Sequence, residues 1–216
     1  MQTSIIKKFA MAISGLFLII FLLQHFIINV TSIFSESIFN QFSHFMGKNF
    51  VVQFIAQPIL IFGVIFHFVM GFYLEIQNRR ATKYEYFKEN GSANSSWMSR
   101  NMIWSGLVIL SFLVLHFIDF WIPEMNYKYI EFLPDDPSRY YEELVHKFEK
   151  PWRVLLYCIS FGLLSMHLLH GFSSALKSMG ANKYYSKFVK NLIHLYSIGI
   201  PLGFCFIALY HFISHI

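Results

Sequence analysis

Charged residues are scarce in this chain. Of its 216 residues, 13% are Asp, Glu, Lys or Arg and 56% are hydrophobic, whereas a soluble domain carries about 25% charged residues. Only two cysteines are present, Cys158 and Cys205, in no CxxC or CxxCH arrangement, and there is no GxGxxG sequence. These absences exclude a cysteine-bound iron–sulfur cluster, covalently attached haem and a Rossmann-type nucleotide or flavin site within this chain.

What the chain has instead is five long apolar stretches, each near the roughly 20 residues that a membrane-crossing helix needs. They predict an all-α integral membrane bundle of five transmembrane helices, forming one domain over residues 1–216 with no internal repeat. The predicted spans are residues 9–31, 51–77, 101–122, 152–177 and 191–213. Between the third and fourth spans, residues 123–151 are predicted to hold a short amphipathic helix lying at the outer surface.

The loop charges predict an orientation. If the N-terminus lies inside, the inner segments hold 11 of the 17 lysines and arginines, while the outer segments hold nine of the twelve acidic residues. The positive-inside rule then predicts an inside N-terminus and, after five spans, an outside C-terminus. The net charge of +5 reflects this inner-face bias. It gives no support to a nucleic-acid partner.

Four of the five spans carry a histidine well inside the apolar stretch, and intramembrane ionisable residues are functional by default. Depth follows from the helical rise of about 1.5 Å per residue, measured from the basic residue at the inner end of each span. His25 and His116 then lie about 25 and 24 Å deep, and His67 and His167 about 18 and 15 Å. The depths predict two stacked pairs, each providing the axial ligands of one haem.

Other polar residues allow alternatives. A single membrane histidine is often only a hydrogen-bonded packing residue. His170 lies one turn from His167 at about 10 Å depth, so it is an alternative ligand or a haem-propionate contact. Asp119, three residues after His116, is a candidate proton relay. His194, His211 and His215 lie near the interfaces, where no specific role is expected.

Several strings resemble a known family: LLQHFIINV, SHFMG, FHFVMGFYLEI and MHLLHGFSSALKSMG. They are similar to the cytochrome b membrane-anchor subunit of succinate dehydrogenases and fumarate reductases (succinate:quinone oxidoreductases), in its single-chain, five-helix, two-haem type. The resemblance spans nearly the whole chain. The family's ligand pattern is QH in helix one, HxxxG in helices two and four, and a late histidine in helix three. It falls on His25, His67, His116 and His167. In one branch of the family, asparagine stands where this chain has His170.

The resemblance implies two haems b and a quinone, with menaquinone typical of this type, in a bacterial cytoplasmic membrane. A flavoprotein and an iron–sulfur subunit would dock on the inner face, and the flavoprotein would carry the dicarboxylate chemistry. Electrons would pass from the clusters to the inner haem (His67, His167), then to the outer haem (His25, His116) and the quinone. His44, in the first outer loop with Glu36 and Gln41, is the candidate proton donor to quinone.

Other functions remain open. A haem b anchor of a hydrogenase or formate dehydrogenase would keep the histidines and change the partner subunits. A proton-coupled transporter would use the histidines as a relay, but inverted repeats and broken helices are typical of that class and are not evident. A membrane di-iron oxygenase would cluster its histidines at one interface, whereas these are spread over four helices.

Overall fold

The structure, a computed structural model, describes residues 2–81, 101–180 and 186–214, and these residues are almost entirely α-helical. The helices are α1 (Gln2–Phe34), α2 (Glu36–Lys48), α3 (Gln57–Ala81), α4 (Met102–His116), α5 (Ile122–Tyr129), α6 (Arg139–Phe148), α7 (Pro151–Ser178) and α8 (Lys187–Ser214). Residues 82–100 and 181–185 lie outside the described part. They include several basic residues used to predict the orientation, Arg100 among them. His215 and the C-terminal residue lie outside it as well.

Five helical segments are long and apolar enough to cross a membrane, as predicted: Ile5–Phe34, Val52–Asn78, Met102–Tyr129, Pro151–Ser178 and Lys187–Ser214. The chain is therefore a multi-pass helical membrane protein. The helices extend past most of the predicted span ends. At about 1.5 Å per residue, α1 with its 33 residues is about 50 Å long, while the hydrocarbon core is about 30 Å thick. The predicted spans mark the apolar part of each helix.

Two π-helical turns interrupt the spans. Val52–Ala56 leads into α3, and Phe117–Trp121 joins α4 to α5. The first turn precedes Pro58, which has no backbone N–H to donate and whose ring crowds the carbonyl four residues earlier. A wider turn relieves that conflict. The second turn follows His116 directly and inserts one extra residue, so the chain beyond it presents a different face to the bundle.

The helices of the bundle alternate in direction. Lys7 Nζ donates to Tyr73 Oη at 2.7 Å, and Ser14 lies against His67, so α1 and α3 are antiparallel. Helix α7 packs against α1, α4 and α8, and α1 also packs against α3 and α8. We call the end of the bundle that carries Lys7 the N-terminal end, and the opposite end, which carries α2 and α6, the cap end.

The cap end is more ordered than the sequence predicts. No helix is predicted in the first outer loop, yet this segment forms α2, whose N-terminus is capped by Ser35 Oγ accepting from the Ile38 N–H at 3.3 Å. The amphipathic helix predicted within 123–151 is α6. It buries Leu144 and Phe148 and packs on α2, α7 and α8. Its apolar face therefore covers protein.

Packing is uneven along the bundle. The main buried cluster lies toward the cap end, where Phe161 and Phe204 stack with centroids 5.3 Å apart and Tyr157 packs against Phe148. Toward the N-terminal end, α3 contributes little to any core, since no residue in the most apolar 18-residue window of its span is buried. The half of the bundle around α3 is therefore less closely packed.

The first testable prediction concerns the packing of α8 on α1. A Cβ built at Gly203 overlaps the ring of Phe26, which packs against Phe204 with centroids 5.2 Å apart. Gly203→Ala should therefore destabilise the detergent-solubilised protein by about 1–3 kcal/mol, as overpacking does. In the control, Gly162→Ala, the added Cβ meets nothing within 4 Å, so thermal unfolding should show an unchanged or higher melting temperature. Equal melting temperatures for the two variants would contradict the packing argument.

Candidate functional site

The four predicted histidines meet in two pairs inside the bundle. His25 of α1 faces His116 of α4, with ring centroids 5.7 Å apart and ring planes at 87°. His67 of α3 faces His167 of α7, with centroids 6.4 Å apart and planes at 67°. These are the pairs that the depth estimate predicts. Their role as haem ligands stays a prediction.

The pairs lie at two separate levels. On α1, Ser14 is level with His67 and stands 11 residues before His25; on α4, Ser105 is level with His167 and stands 11 residues before His116. Eleven residues of helix rise about 16 Å. The pair nearer the cap end is therefore separated by about 16 Å from the pair nearer the N-terminal end.

A serine hydroxyl fixes the tautomer of His67. Ser14 Oγ donates to the Met11 carbonyl at 2.8 Å and also lies 3.0 Å from His67 Nδ1. Because its one hydrogen goes to the carbonyl, the hydroxyl oxygen accepts from Nδ1–H. Nε2 of His67 is then the unprotonated nitrogen. A neutral imidazole in this form is the one that binds a metal ion through Nε2.

His167 has the same arrangement. Ser105 Oγ donates to the Met102 carbonyl at 2.8 Å and lies 3.1 Å from His167 Nδ1. Both rings of this pair therefore present an unprotonated Nε2. We call His67 and His167 the serine-bonded pair.

The other pair has aromatic neighbours. Phe21 stacks on His25 at 5.6 Å, and Phe112 stacks on His116 at 5.9 Å. Within the described part of the chain, the buried Nδ1 of His116 has no hydrogen-bond partner. His25 has only Asn29 Nδ2 at 3.5 Å from its ring nitrogens, and that amide already donates to the His25 carbonyl at 2.8 Å. We call His25 and His116 the aromatic-lined pair.

The pairs fit a metal ion held between two imidazoles. Metal–imidazole bonds are about 2 Å long, and adding roughly 1 Å from each nitrogen to its ring centre gives centroids about 6 Å apart; the observed values are 5.7 and 6.4 Å. All four histidines are only half-buried, although they face the bundle. No group of three or more His, Cys, Asp or Glu that could hold a metal occurs among the described residues. Two facing imidazoles with no further His, Cys, Asp or Glu beside them in the described part would suit a metal that brings its other ligands in a macrocycle better than a bare ion.

The site is built from a repeated motif, contrary to the expectation of no internal repeat. SGL followed by eight residues and histidine occurs at 14–25 and again at 105–116, and HxxxGF occurs at 67–72 and 167–172. Each histidine pair takes one member from each copy. Helices α1 and α4 run in the same direction, and α3 and α7 run opposite to them, so the two copies have the same orientation along the bundle.

The remaining histidines separate into different roles. His67 meets the ring of His167, which favours His167 over His170 as the facing residue; His170 is half-buried one turn away. His211 was expected at an interface without a specific role. It is instead fully buried, with Nε2 2.9 Å from Ser32 Oγ. His194 is exposed, and its Nδ1 lies 2.7 Å from the Lys190 carbonyl.

His44, the candidate quinone residue, lies on α2 at the cap end. Its ring packs edge-on against Tyr140 at 4.8 Å, and Nδ1 lies 3.6 Å from an oxygen of Asp135. A hydrogen bond from Lys48 lowers the pKa of the exposed Asp135. Both ring nitrogens of His44 are shielded from solvent, and neither has a hydrogen-bond partner among the residues described.

Asp119 forms a buried ion pair rather than an interfacial relay. It lies in the π-helical turn after His116 and is 1% exposed. Tyr157 Oη donates to Oδ2 at 2.9 Å, and an Arg153 guanidinium nitrogen lies 3.2 Å from Oδ1. This cluster joins α7 to the helix that carries His116. It was not predictable, because the π-helical turn rotates Asp119 toward α7.

Searches of protein families, curated proteins and solved structures found no match for this chain. Fold and geometry therefore define the class on their own. The chain is a multi-pass helical membrane protein with two intramembrane histidine pairs at different levels.

The second testable prediction concerns Asp119. Removing its partner with Arg153→Met leaves a buried carboxylate unpaired, which should cost about 3 kcal/mol or more of stability. The double variant Asp119→Asn, Arg153→Met should recover much of that loss, because the amide still accepts from Tyr157. Thermal unfolding in detergent measures both, with Lys150→Met on the exposed surface as control. A double variant less stable than the single one would contradict the ion-pair assignment.

Proposed function

We propose that this chain is a transmembrane dihaem cytochrome b, with His25 and His116 holding one haem b and His67 and His167 the other. The observation that carries the proposal is the pairing of four intramembrane imidazoles at centroid separations of 5.7 and 6.4 Å. When bound, each haem iron accepts and returns one electron. The serine hydroxyls orient one ligand pair, and the aromatic side chains shield the other from water.

More particularly, we propose the membrane-anchor subunit of a succinate:quinone oxidoreductase in a bacterial cytoplasmic membrane. The support is the five-span bundle, the two histidine levels and the family's QH and HxxxG strings, which fall on the paired residues. The chain would be the non-flavin part of a respiratory enzyme whose dicarboxylate chemistry lies in a partner. A haem b anchor for a hydrogenase or formate dehydrogenase is the alternative, because it would need the same histidines.

The N-terminal end is the surface we assign to the iron–sulfur and flavoprotein partners. It lies on the side of the serine-bonded pair and carries the basic segments that predict an inner location. At its edge, Lys7 donates to Tyr73 Oη at 2.7 Å and also lies over that ring at 4.7 Å from the centroid. Gln77 donates to the same hydroxyl at 2.7 Å. Lys7, Tyr73 and Gln77 thus form a polar group beside the surface proposed for docking.

The cap end is where we propose that quinone, of the menaquinone type, binds. Gln24, adjacent to His25, donates to Met46 Sδ at 3.6 Å, so the C-terminal turn of α2 lies level with the aromatic-lined pair. His44 lies on α2 just before that turn. Quinone reduction consumes two protons, and an imidazole exchanges protons near neutral pH. His44 would donate a proton to the quinone oxygen, and the solvated Asp135 and Lys48 stand between it and water.

The third testable prediction concerns cofactor content and ligands. Pyridine haemochrome analysis of the purified protein should give two haems b per chain. His25→Ala or His116→Ala should remove one of the two redox midpoints, and His67→Ala or His167→Ala the other, because each haem loses an axial ligand. His194→Ala, an exposed histidine outside both pairs, is the control and should keep both. Loss of a midpoint in His170→Ala but not in His167→Ala would show that His170, and not His167, is the ligand on α7.

The same preparation separates the candidate functions. Haem b bands in the reduced-minus-oxidised spectrum support a cytochrome, and co-purifying subunits then distinguish a succinate:quinone oxidoreductase from a hydrogenase or formate dehydrogenase. A chain purified from haem-replete cells without haem bands would contradict the cytochrome proposal. That result would favour the proton-coupled transporter.

The fourth testable prediction concerns His44. In the complete enzyme, His44→Ala should slow quinone-coupled turnover at least tenfold while both haem bands persist, since general acid catalysis contributes about 100-fold or more. Succinate oxidation with a soluble dye, which takes electrons before the membrane, should be unchanged. His146→Ala is the matched control, because His146 is exposed at the same end and, among the described residues, pairs with Glu149 alone, at 3.1 Å. Normal quinone turnover in His44→Ala would move the search to the N-terminal end.

A further inference from the structure

We propose that Ser14 and Ser105 are positioning residues that set the redox potential of one haem, the one held by the serine-bonded pair. The inference rests on the proposed function, because it concerns how the chain tunes a bound haem. Each serine acts through a histidine and touches no iron. The consequence is a chemical difference between the two haem sites that the histidine ligands alone do not provide.

The first step is the direction of the hydrogen bonds. Ser14 Oγ and Ser105 Oγ each donate to a backbone carbonyl three residues earlier, both at 2.8 Å. The oxygen that faces Nδ1 can then only accept, at 3.0 and 3.1 Å. The backbone therefore holds the hydroxyl in one rotamer and makes it a fixed acceptor.

The second step is the effect on the ligand. An imidazole that donates Nδ1–H to an oxygen is a more basic ligand through Nε2. Greater electron donation stabilises ferric over ferrous iron, so it lowers the midpoint potential. Both axial ligands of the serine-bonded pair receive this effect, and the two contributions act on the same iron.

The third step is that, among the described residues, a hydroxyl at Nδ1 distinguishes the serine-bonded pair from the aromatic-lined pair. The aromatic-lined pair has no hydroxyl on either Nδ1 among the described residues. A third serine–histidine contact, Ser32 with His211, uses Nε2 rather than Nδ1, so it occupies the nitrogen that a metal would need. The contact that leaves Nε2 available occurs twice, at equivalent positions of the repeated SGL motif.

Neighbouring glycines leave room for the rings beside the hydroxyls, closely at Gly15 and less closely at Gly106. A Cβ at Gly15 would lie 3.3 Å from His67 Cε1, and one at Gly106 would lie 3.8 Å from His167 Cε1. The residue after each serine is thus small where the imidazole edge passes the helix. Serine followed by glycine accommodates the ring and accepts its N–H.

The fifth testable prediction is the test of this inference, by redox titration of the haems in the complete enzyme or purified chain. Ser14→Ala and Ser105→Ala should each shift one midpoint upward, and it should be the midpoint that disappears in His67→Ala. The other midpoint should not move. Ser14→Thr, which keeps the hydroxyl, should restore the wild-type value. Ser111→Ala is the control, because Ser111 is also on α4 and its hydroxyl donates to its own helix, at 3.0 Å to the Leu107 carbonyl.

The outcomes are separable. Two haems with midpoints unchanged in both alanine variants would overturn the inference and leave the cytochrome proposal intact. A shift of the haem that survives in His67→Ala would also overturn it. If an alanine variant loses the haem, recovery in the threonine variant supports a role of the hydroxyl, and failure to recover contradicts it. A wild-type chain without haem would instead overturn the proposed function itself.

Discussion

An imidazole inside an apolar bundle must satisfy or shield its polar nitrogens, and the rest of this structure depends on how that constraint is met. In the serine-bonded pair the solution is a hydroxyl whose hydrogen is already committed to its own helix, so the ring donates and its second nitrogen stays free. In the aromatic-lined pair the solution is enclosure by phenylalanine rings, with His116 Nδ1 left without a partner in the described residues. The two pairs share a residue type and differ in everything around it.

The two halves of the bundle reflect this difference. Toward the cap end, aromatic stacking, the Asp119–Arg153 ion pair and the helices α2 and α6 hold the surroundings of the aromatic-lined pair in place. Toward the N-terminal end, packing around α3 is sparse. There the hydrogen bonds to Ser14 and Ser105 orient the rings of His67 and His167. A polar contact is directional where a loose apolar contact is not, so it can hold a side chain in a part of the bundle with few close neighbours.

Much of the fold was predictable because helical rise is nearly constant. Span number and the pairing of His25 with His116 follow from counting residues along helices. The counted depths understate the separation of the two pairs, which is about 16 Å along the helices. What counting does not provide is rotation about the helix axis. The contacts of Ser14 with His67, the inward turn of Asp119 and the burial of His211 depend on which face meets which neighbour. A π-helical turn changes that face by one residue, and no proline marks the turn that follows His116.

The repeated motif also sets the order in which the two histidine pairs can form during synthesis. Each histidine pair draws one ring from each copy, so neither copy forms a pair by itself. The aromatic-lined pair can form once the third span, which carries His116, has entered the membrane, whereas the serine-bonded pair must wait for the fourth, which carries His167. Helix α8 follows these four spans in the chain and contributes no histidine to either pair, although it packs over α1 and α7. Both pairs can therefore form before α8 enters the membrane.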